Sequence, residues 1–204
     1  MRTLAIDCAT EACSIALFEG DVLLAAHHEL IGRGHAERLV PLIANLPHKG
    51  EAARILVSLG PGSFTGVRIG IAAARALGLA WNAQVLGYPT LALIAAMARE
   101  DHPGPVTVCM EGGHGEWFVQ DFGTDGLPIG NLASLKPDMA GRRPHQPVLA
   151  GNKASAMAAL GAGQVVLDIL PDARQLLDVP SSLLSADLSP IYGRAPDARL
   201  PQVR

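Results

Sequence analysis

Hydrophobic residues in the first half of the chain occur in short runs separated by polar or glycine-containing turns. Between positions 4 and 28 the runs are short or alternate with polar residues, which is typical of β-strands with a buried face. Further along, apolar residues recur every three or four positions, as in helices. The pattern predicts the order β-β-β-α-β-α-β-α, with strands at 4–8, 13–18, 22–28, 55–59 and 84–87 and helices at 35–46, 66–82 and 90–99.

A cluster of helix and strand breakers divides the chain at His102-Pro103-Gly104-Pro105. We therefore predict one lobe over residues 1–102 and a smaller second lobe over 103–204. The second lobe is predicted to contain strands at 106–110, 117–120 and 148–150 and a short helix at 153–160. Because five prolines lie between residues 171 and 204, the end of the chain is predicted to be an extended tail that packs on the first lobe or is ordered by a partner.

Small residues dominate the segment LGPGSFTGVRIGIAAARALGLA, at positions 59–80. Its first glycines remove Cβ atoms at the start of a predicted helix, where free backbone amides favour an anion. A phosphate loop of the GxxxxGK[ST] type would also need a lysine, but Gly66 is followed by Val67 and Arg68. The segment is therefore either an anion site or a docking surface, and the small residues of its helix favour docking.

Two helices carry the predicted docking surface. In the second of them a glycine or alanine recurs every four positions from Gly66, which lets another helix approach its backbone, and two arginines form a separate basic stripe. The helix that begins at His35 has a narrow apolar stripe. Burial of these faces in the chain's own core is the alternative. The predicted partner contacts are His35, Leu39, Leu42, Ile43, Leu46, Gly66, Arg68, Gly70, Ala74, Arg75 and Gly78.

Composition narrows the class of protein. The chain has 204 residues, is 49% hydrophobic and can bury a core, but none of its apolar runs reaches the roughly 20 residues that cross a bilayer. We expect a cytoplasmic protein without a membrane segment. A formal net charge of -3 gives no general attraction to polyanions, so we do not expect the chain to bind tRNA by itself. Three cysteines without CxxC spacing predict buried thiols rather than a disulfide framework or zinc site.

Four separated motifs resemble the TsaB (YeaZ) family: LAIDCATEACSIAL, HAERLVPLI, GPGSFTGVRIG and PIYGRAPDARLP. The resemblance implies an α/β, two-lobed actin-like ATPase fold (ASKHA, ribonuclease H-like). It also implies a non-catalytic scaffold and activator in bacterial tRNA threonylcarbamoyladenosine (t6A) biosynthesis. The implied partner is a TsaD-type threonylcarbamoyltransferase that modifies adenosine 37 in tRNAs reading codons that begin with A. A TsaE-type ATPase and tRNA would be contacted through the complex, and the chain alone would form a homodimer.

Two loops resemble the nucleotide loops of actin-like ATPases. Asp7 and Thr10 stand where those enzymes have an Asp-x-Gly-Thr loop, but Ala9 replaces the glycine. Glu111 and Gly113 lie in EGGHGE, where the TsaB family has Asp-Ala-Arg-x-Gly-Glu before an aromatic residue. We interpret these loops as structural turns, with a vestigial nucleotide pocket and a working ATP site as the alternatives. The resemblance implies no cofactor in this chain, with ATP and metal in the partner subunits.

The predicted helix at 35–46 also bears on metal binding. Catalytic TsaD relatives have a His-x3-His pair on this helix, which places both imidazoles on one face. Here His35 is followed four positions later by Leu39, so we predict no metal site and no catalytic activity. Two enzyme classes remain as alternatives: an ATP-dependent actin-like-fold enzyme such as a small-molecule kinase, and a glycoprotease-like metallohydrolase. Stabilisation of the isolated chain by nucleotide would indicate the first, and stoichiometric bound metal the second.

Overall fold

Two five-stranded sheets organise the computed structural model, which describes residues 1–161 and 165–193. In the first sheet β1, β2 and β3 form an antiparallel meander, and β4 and β5 run parallel to β1 in the order β3-β2-β1-β4-β5. Helices α1, α2 and α3 connect or follow these strands. The bounds are β1 Arg2–Asp7, β2 Ala12–Glu19, β3 Val22–Leu30, α1 His35–Ala44, β4 Arg54–Ser58, α2 Phe64–Trp81, β5 Gln84–Tyr88 and α3 Thr90–Asp101.

The second sheet repeats the topology of the first. Its order is β10-β9-β6-β7-β8, in which β6, β7 and β8 form the meander and β9 and β10 add in parallel. The sequence carries no visible repeat, so this duplication appears only in the fold. The bounds are β6 Val106–Gly113, β7 Glu116–Phe122, β8 Pro128–Leu135, α4 Pro137–Arg142, β9 Val148–Ala150, α5 Ala154–Ala158 and β10 Val165–Leu167.

Helix α3 lies in a core shared by both sheets. Leu93 and Ile94 are fully buried in one cluster with Val108 and Phe122 of the second sheet. The chain returns to the first sheet after β10, because Ser185 forms an isolated bridge with Gly87. Residues 171–193 therefore pack beside α3 and the first sheet, whereas residues 194–204 of the predicted tail lie outside the described residues. None of the helices described is long and apolar enough to cross a membrane.

Helices α1 and α2 cover the opposite face of the first sheet, and this corrects the docking prediction. The apolar stripe of α1 lies in the chain's own core, since Leu39 is 1% and Ile43 2% exposed. The small-residue face of α2 lies against the sheet: a Cβ at Gly70 would meet Val57 at 3.5 Å. Nine of the predicted partner contacts are buried within the chain, so their prediction as contacts was wrong. They are His35, Leu39, Leu42, Ile43, Leu46, Gly66, Gly70, Ala74 and Gly78.

Candidate functional site

A cavity of about 720 Å³ lies between the two lobes. The first lobe contributes the β1–β2 turn at 9–11 and the start of α2 at 62–64, and the second contributes the β6–β7 hairpin at 111–114. The rest of the lining is formed by Gly32, Arg68, Phe118, Asn152 and residues 191–193. The structure thus brings Thr10, Glu111 and Gly113 to one cavity, as expected for two loops that face a cleft. Asp7 does not line the cavity.

Asp7 is held inside the first lobe. Its carboxylate accepts hydrogen bonds from the Ala9 amide at 2.9 Å and from the Tyr88 hydroxyl at 3.0 Å, and the residue is 1% exposed. Burial raises the pKa of Asp7 from 3.8 to about 6, although both hydrogen bonds oppose the shift. The Thr10 hydroxyl accepts a bond from the Ala12 amide at 3.2 Å. Both side chains of this loop therefore support the turn itself.

We predict that Asp7→Asn stabilises the protein at neutral pH. Because folding raises the pKa of this acid, its contribution to stability is fully present below about pH 4 and is lost as the pH rises through about 6. An uncharged amide avoids burying the negative charge. Its oxygen can accept from the Ala9 amide while its NH2 group donates to the Tyr88 hydroxyl, which can itself donate to the Ile6 carbonyl. At pH values above the pKa of the folded state, the free energy of unfolding is expected to increase by at most about 3 kcal/mol. Below about pH 4 no increase is expected. Denaturant titrations at several pH values measure it.

The control for this prediction is Asp187→Asn. Asp187 is exposed, and hydrogen bonds from Ser189 lower its pKa, so its pH dependence should have the opposite sign. An Asp7→Asn variant that is less stable than the parent protein at neutral pH would contradict the prediction, since the ionised carboxylate would then be required by the fold.

The second loop is also closed on itself. The Gly113 amide donates to a carboxylate oxygen of Glu111 at 3.2 Å, and the other oxygen pairs with Lys153 at 2.7 Å. The Glu111 amide donates to the Asn152 side chain at 2.8 Å. Asn152 in turn donates to Glu11 across the cleft at 3.3 Å. The Gly113 amide of the hairpin therefore already donates to a carboxylate of the chain, whereas a phosphate oxygen would need this donor.

The glycine-rich loop before α2 serves packing. The Ser63 hydroxyl caps α2 by accepting from the Gly66 amide at 3.1 Å, and the Ser63 amide donates to the Ala9 carbonyl at 2.7 Å. A Cβ at Gly62 would lie 2.1 Å from the same carbonyl oxygen. These contacts press the loop against the β1–β2 turn. The glycines are therefore required by this close backbone approach, which the sequence analysis did not consider.

The remaining predicted residues make contacts within the chain. His35 bonds the Ala12 carbonyl through Nε2 at 3.2 Å. Arg68 stacks 3.3 Å from the Phe64 ring centroid and donates to the Tyr192 hydroxyl at 2.6 Å. Arg75 donates to the carbonyl of Leu188 at 3.4 Å, so both arginines hold the 188–192 segment on α2. Within residues 1–161 and 165–193, three or more histidine, cysteine or acidic side chains nowhere gather closely enough to hold a metal.

The outward faces of α1 and α2 carry apolar residues that are not among the predicted partner contacts. Val40 of α1 is 52% exposed and Leu79 of α2 is 88% exposed. The same two helices also carry exposed small residues, namely Ala36, Pro41 and Ala44 on α1 and Ala72, Ala76 and Ala80 on α2. The signal was present in the sequence, because Val40 and Leu79 fall off the periodic apolar stripes of their helices. We call the surface formed by Val40, Leu79 and these exposed small residues of α1 and α2 the outer face.

Comparison with known proteins decides the family. The TsaD family, described as tRNA N6-adenosine threonylcarbamoyltransferase, matches residues 27–131. The Escherichia coli tRNA threonylcarbamoyladenosine biosynthesis protein TsaB is 34% identical over 220 aligned residues, which cover 95% of this chain and 95% of that protein. The chain belongs to the TsaB family. The resemblance drawn from four sequence motifs is thereby confirmed.

Solved structures extend the comparison to the fold of this TsaB-family chain. YeaZ from Pseudomonas aeruginosa matches with a TM-score of 0.79 and 29% identity, over 94% of this chain and 99% of that one. The ethanolamine utilization protein EutJ from Carboxydothermus hydrogenoformans matches with a TM-score of 0.52 at 10% identity, over 88% of this chain and 89% of that one, which shows a shared fold alone. The predicted actin-like ATPase fold is confirmed.

Proposed function

We propose that this TsaB-family chain is a non-catalytic subunit in tRNA threonylcarbamoyladenosine biosynthesis, and that it binds a TsaD-type threonylcarbamoyltransferase through the outer face. The observation that carries the proposal is the exposure of apolar side chains on two neighbouring helices, above all Leu79 at 88%. Exposed apolar residues that lie together on a surface indicate an interaction site. The family membership supplies the identity of the partner.

The shape of the outer face suits a second pair of helices. On α2 the exposed alanines at 72, 76 and 80 are four positions apart, so they form one ridge along the helix. Small side chains there allow another backbone to come close, and Val40 and Leu79 provide bulk to insert into a partner. In the absence of that partner a second copy could use the same face, since a two-fold dimer pairs identical surfaces. A TsaE-type ATPase and tRNA would join through the complex.

The cleft supports the non-catalytic part of the proposal. Backbone amides on both loops donate to carboxylates of the chain itself, namely Asp7 and Glu111. A nucleotide would have to displace these internal anions, which are held by Tyr88 and Lys153. Leu39 is buried where a catalytic relative has its second histidine. We therefore assign ATP and metal to the partner subunits and none to this chain, which acts in the cytoplasm.

Reconstitution tests the proposal. The isolated chain is expected to neither hydrolyse ATP nor transfer threonylcarbamoyl to tRNA, whereas adding it to a purified TsaD-type enzyme with a TsaE-type ATPase should activate transfer. Product nucleoside in the tRNA, measured by mass spectrometry, gives the readout. Turnover by the purified chain alone that disappears in Asp7→Ala, or full transfer without the chain, would overturn the proposal.

A thermal melt tests the alternative of an ATP-dependent enzyme, and elemental analysis tests that of a metallohydrolase. A ligand present at about 100 times its Kd stabilises a protein by about 2.7 kcal/mol, so a working nucleotide site would raise the Tm clearly in millimolar Mg-ATP. We expect no shift for the isolated chain. Elemental analysis of the same sample addresses the metallohydrolase alternative, for which stoichiometric metal lost in His35→Ala would be required.

A further inference from the structure

Two buried thiols face each other in the β1–β2 turn beneath the cleft. The Sγ atoms of Cys8 and Cys13 are 3.9 Å apart, and both cysteines are free. Cys8 is 1% and Cys13 0% exposed, in the core between the sheet and helices α1 and α2. The proposed function makes no use of this pair.

The strand register makes the two residues direct neighbours. Asp7 pairs with Ser14, so the next pair along the antiparallel strands is Cys8 and Cys13. The Gly20 amide donates to the Met1 carbonyl, which marks a hydrogen-bonded pair in the same register. Since such pairs alternate, Cys8 and Cys13 fall at a position without paired backbone hydrogen bonds, where opposite Cα atoms are about 4.5 Å apart. That separation is within the range of natural disulfides, which begins at about 4.4 Å.

We propose that Cys8 and Cys13 form a reversible intramolecular disulfide when a peroxide oxidises the protein. One thiolate attacks a peroxide oxygen, gives a sulfenic acid and releases water after protonation. The second thiol then attacks the sulfenic sulfur, the S–S bond forms and a second water leaves. Two thiols lose two electrons and two protons, and one hydrogen peroxide is reduced to two waters.

The surroundings distinguish the two sulfurs. The hydrogen bond with the Cys8 thiol lowers the pKa of Cys13, and Arg38 acts in the same direction, so in the closed structure Cys13 ionises more readily than Cys8. The same hydrogen bond and burial raise the pKa of Cys8. Because both sulfurs are buried, oxidation requires local opening of the core, and its rate should be lower than that of an exposed thiol.

Bond formation would act on α2. The sulfurs must approach from 3.9 Å to about 2 Å, and we expect part of this movement to come from the backbone at Cys8 and the rest from rotation of the two side chains. The Cys8 carbonyl lies directly under the first turn of α2, since a Cβ at Gly66 would be 2.0 Å from its oxygen. A shift of Cys8 must therefore be transmitted to the start of α2. The residues between the two cysteines include 9–11, which line the cleft.

Thiol mapping of the full chain tests the disulfide. The folded protein is treated with hydrogen peroxide, alkylated, and digested with trypsin. Cys8 and Cys13 lie together in the fragment 3–33, whereas Cys109 lies in 100–142, because trypsin does not cleave between Lys136 and Pro137. We expect the first fragment to resist alkylation, to have lost two hydrogens and to recover both thiols in dithiothreitol. Cys109 is the internal control, because it is buried and burial raises its pKa to about 12.

Matched variants sharpen the mapping. Cys109→Ser should still lose two thiols, whereas Cys13→Ser should form no intramolecular disulfide. Three intact thiols after prolonged exposure of the folded protein to oxidant would overturn the proposal, as would oxidation of the pair only to sulfonic acids or to links between chains. Because the thiol count and the oxidation products are measured on the parent protein, the test remains valid even if a cysteine variant does not fold.

Hydrogen exchange tests the transmission to α2. Oxidation should change the exchange rates of amides in the first two turns of α2, residues 64–71, in the parent protein. The double variant Cys8→Ser/Cys13→Ser, treated with the same oxidant, should show no such change. Unaltered exchange in a protein that has formed the disulfide would show that α2 does not respond to the pair.

Discussion

Leu79→Glu is expected to abolish binding to the TsaD-type partner while the chain stays folded. Leu79 is 88% exposed, so a charge there is solvated in the free protein and costs little stability. In the complex the same charge would be buried against an apolar partner surface. Loss of an interface hot spot costs about 2 to 4 kcal/mol, which is roughly 30-fold to 1000-fold in affinity. Titration calorimetry with the partner and a thermal melt on the same sample measure both quantities.

Ile43→Glu is the matched control for this prediction. The same charge is placed on the neighbouring helix, but Ile43 is 2% exposed and packs in the chain's own core. It should therefore lower the Tm or unfold the chain. Val40→Glu, at 52% exposure, should resemble Leu79→Glu. If Leu79→Glu binds the partner with unchanged affinity, the docking surface lies elsewhere and this part of the proposed function is wrong.

Gly66→Ala is expected to destabilise the protein strongly, whereas Gly70→Ala should not. A Cβ at Gly66 would lie 2.0 Å from the Cys8 carbonyl oxygen, so a backbone segment must move. Overpacking of this kind costs about 3 kcal/mol, which for a chain of this size lowers the Tm by roughly 6 to 12 °C. At Gly70 the nearest atoms would be at 3.5 to 3.9 Å, which is ordinary contact. Alanine there is expected to gain up to about 1 kcal/mol of helix propensity.

The comparison of these two variants is informative because they share a helix, a substitution and a buried face. Calorimetric melts of both give the result directly. Equal effects would mean that helix propensity, rather than the close approach of α2 to the β1–β2 turn, governs these positions. The larger change Gly70→Leu should destabilise the chain, because its side chain would be forced into Val57 and Cys8.

Apolar periodicity, together with short apolar runs bounded by turn residues, was sufficient to predict the eight elements of the first half. The predicted helix at 66–82 lies at Phe64–Trp81, and the strand at 55–59 lies at Arg54–Ser58. A strong period arises wherever one face of an element is buried. The second half was predicted less completely, since β8, α4 and β10 were missed. The first half of β8 is exposed, and β10 has only three residues, so neither gives a clear pattern.

Periodicity did not reveal what each helix face contacts. The positions of Leu39 and Ala74 on their helices identify an apolar or small-residue face, but the period is the same whether that face meets a partner or the chain's own sheet. Only the placement of β2 beneath α1, and of β1 and β4 beneath α2, decides between them. The nine buried contact residues were predicted wrongly for this reason, whereas Arg68 is half-buried and Arg75 is exposed. The two helices remain the elements of the proposed interface.

The sequence by itself determined the family and, through the resemblance to that family, the fold class, because the motifs that carry the resemblance are local. Only the tertiary structure decided the chemistry of the cleft. Asp7 is satisfied by Tyr88, 81 positions away, and the Glu111 amide by Asn152, 41 positions away. Cys8 and Cys13 likewise become neighbours through strand register. Such contacts depend on how strands are aligned, and a local sequence pattern specifies only neighbours within a few residues.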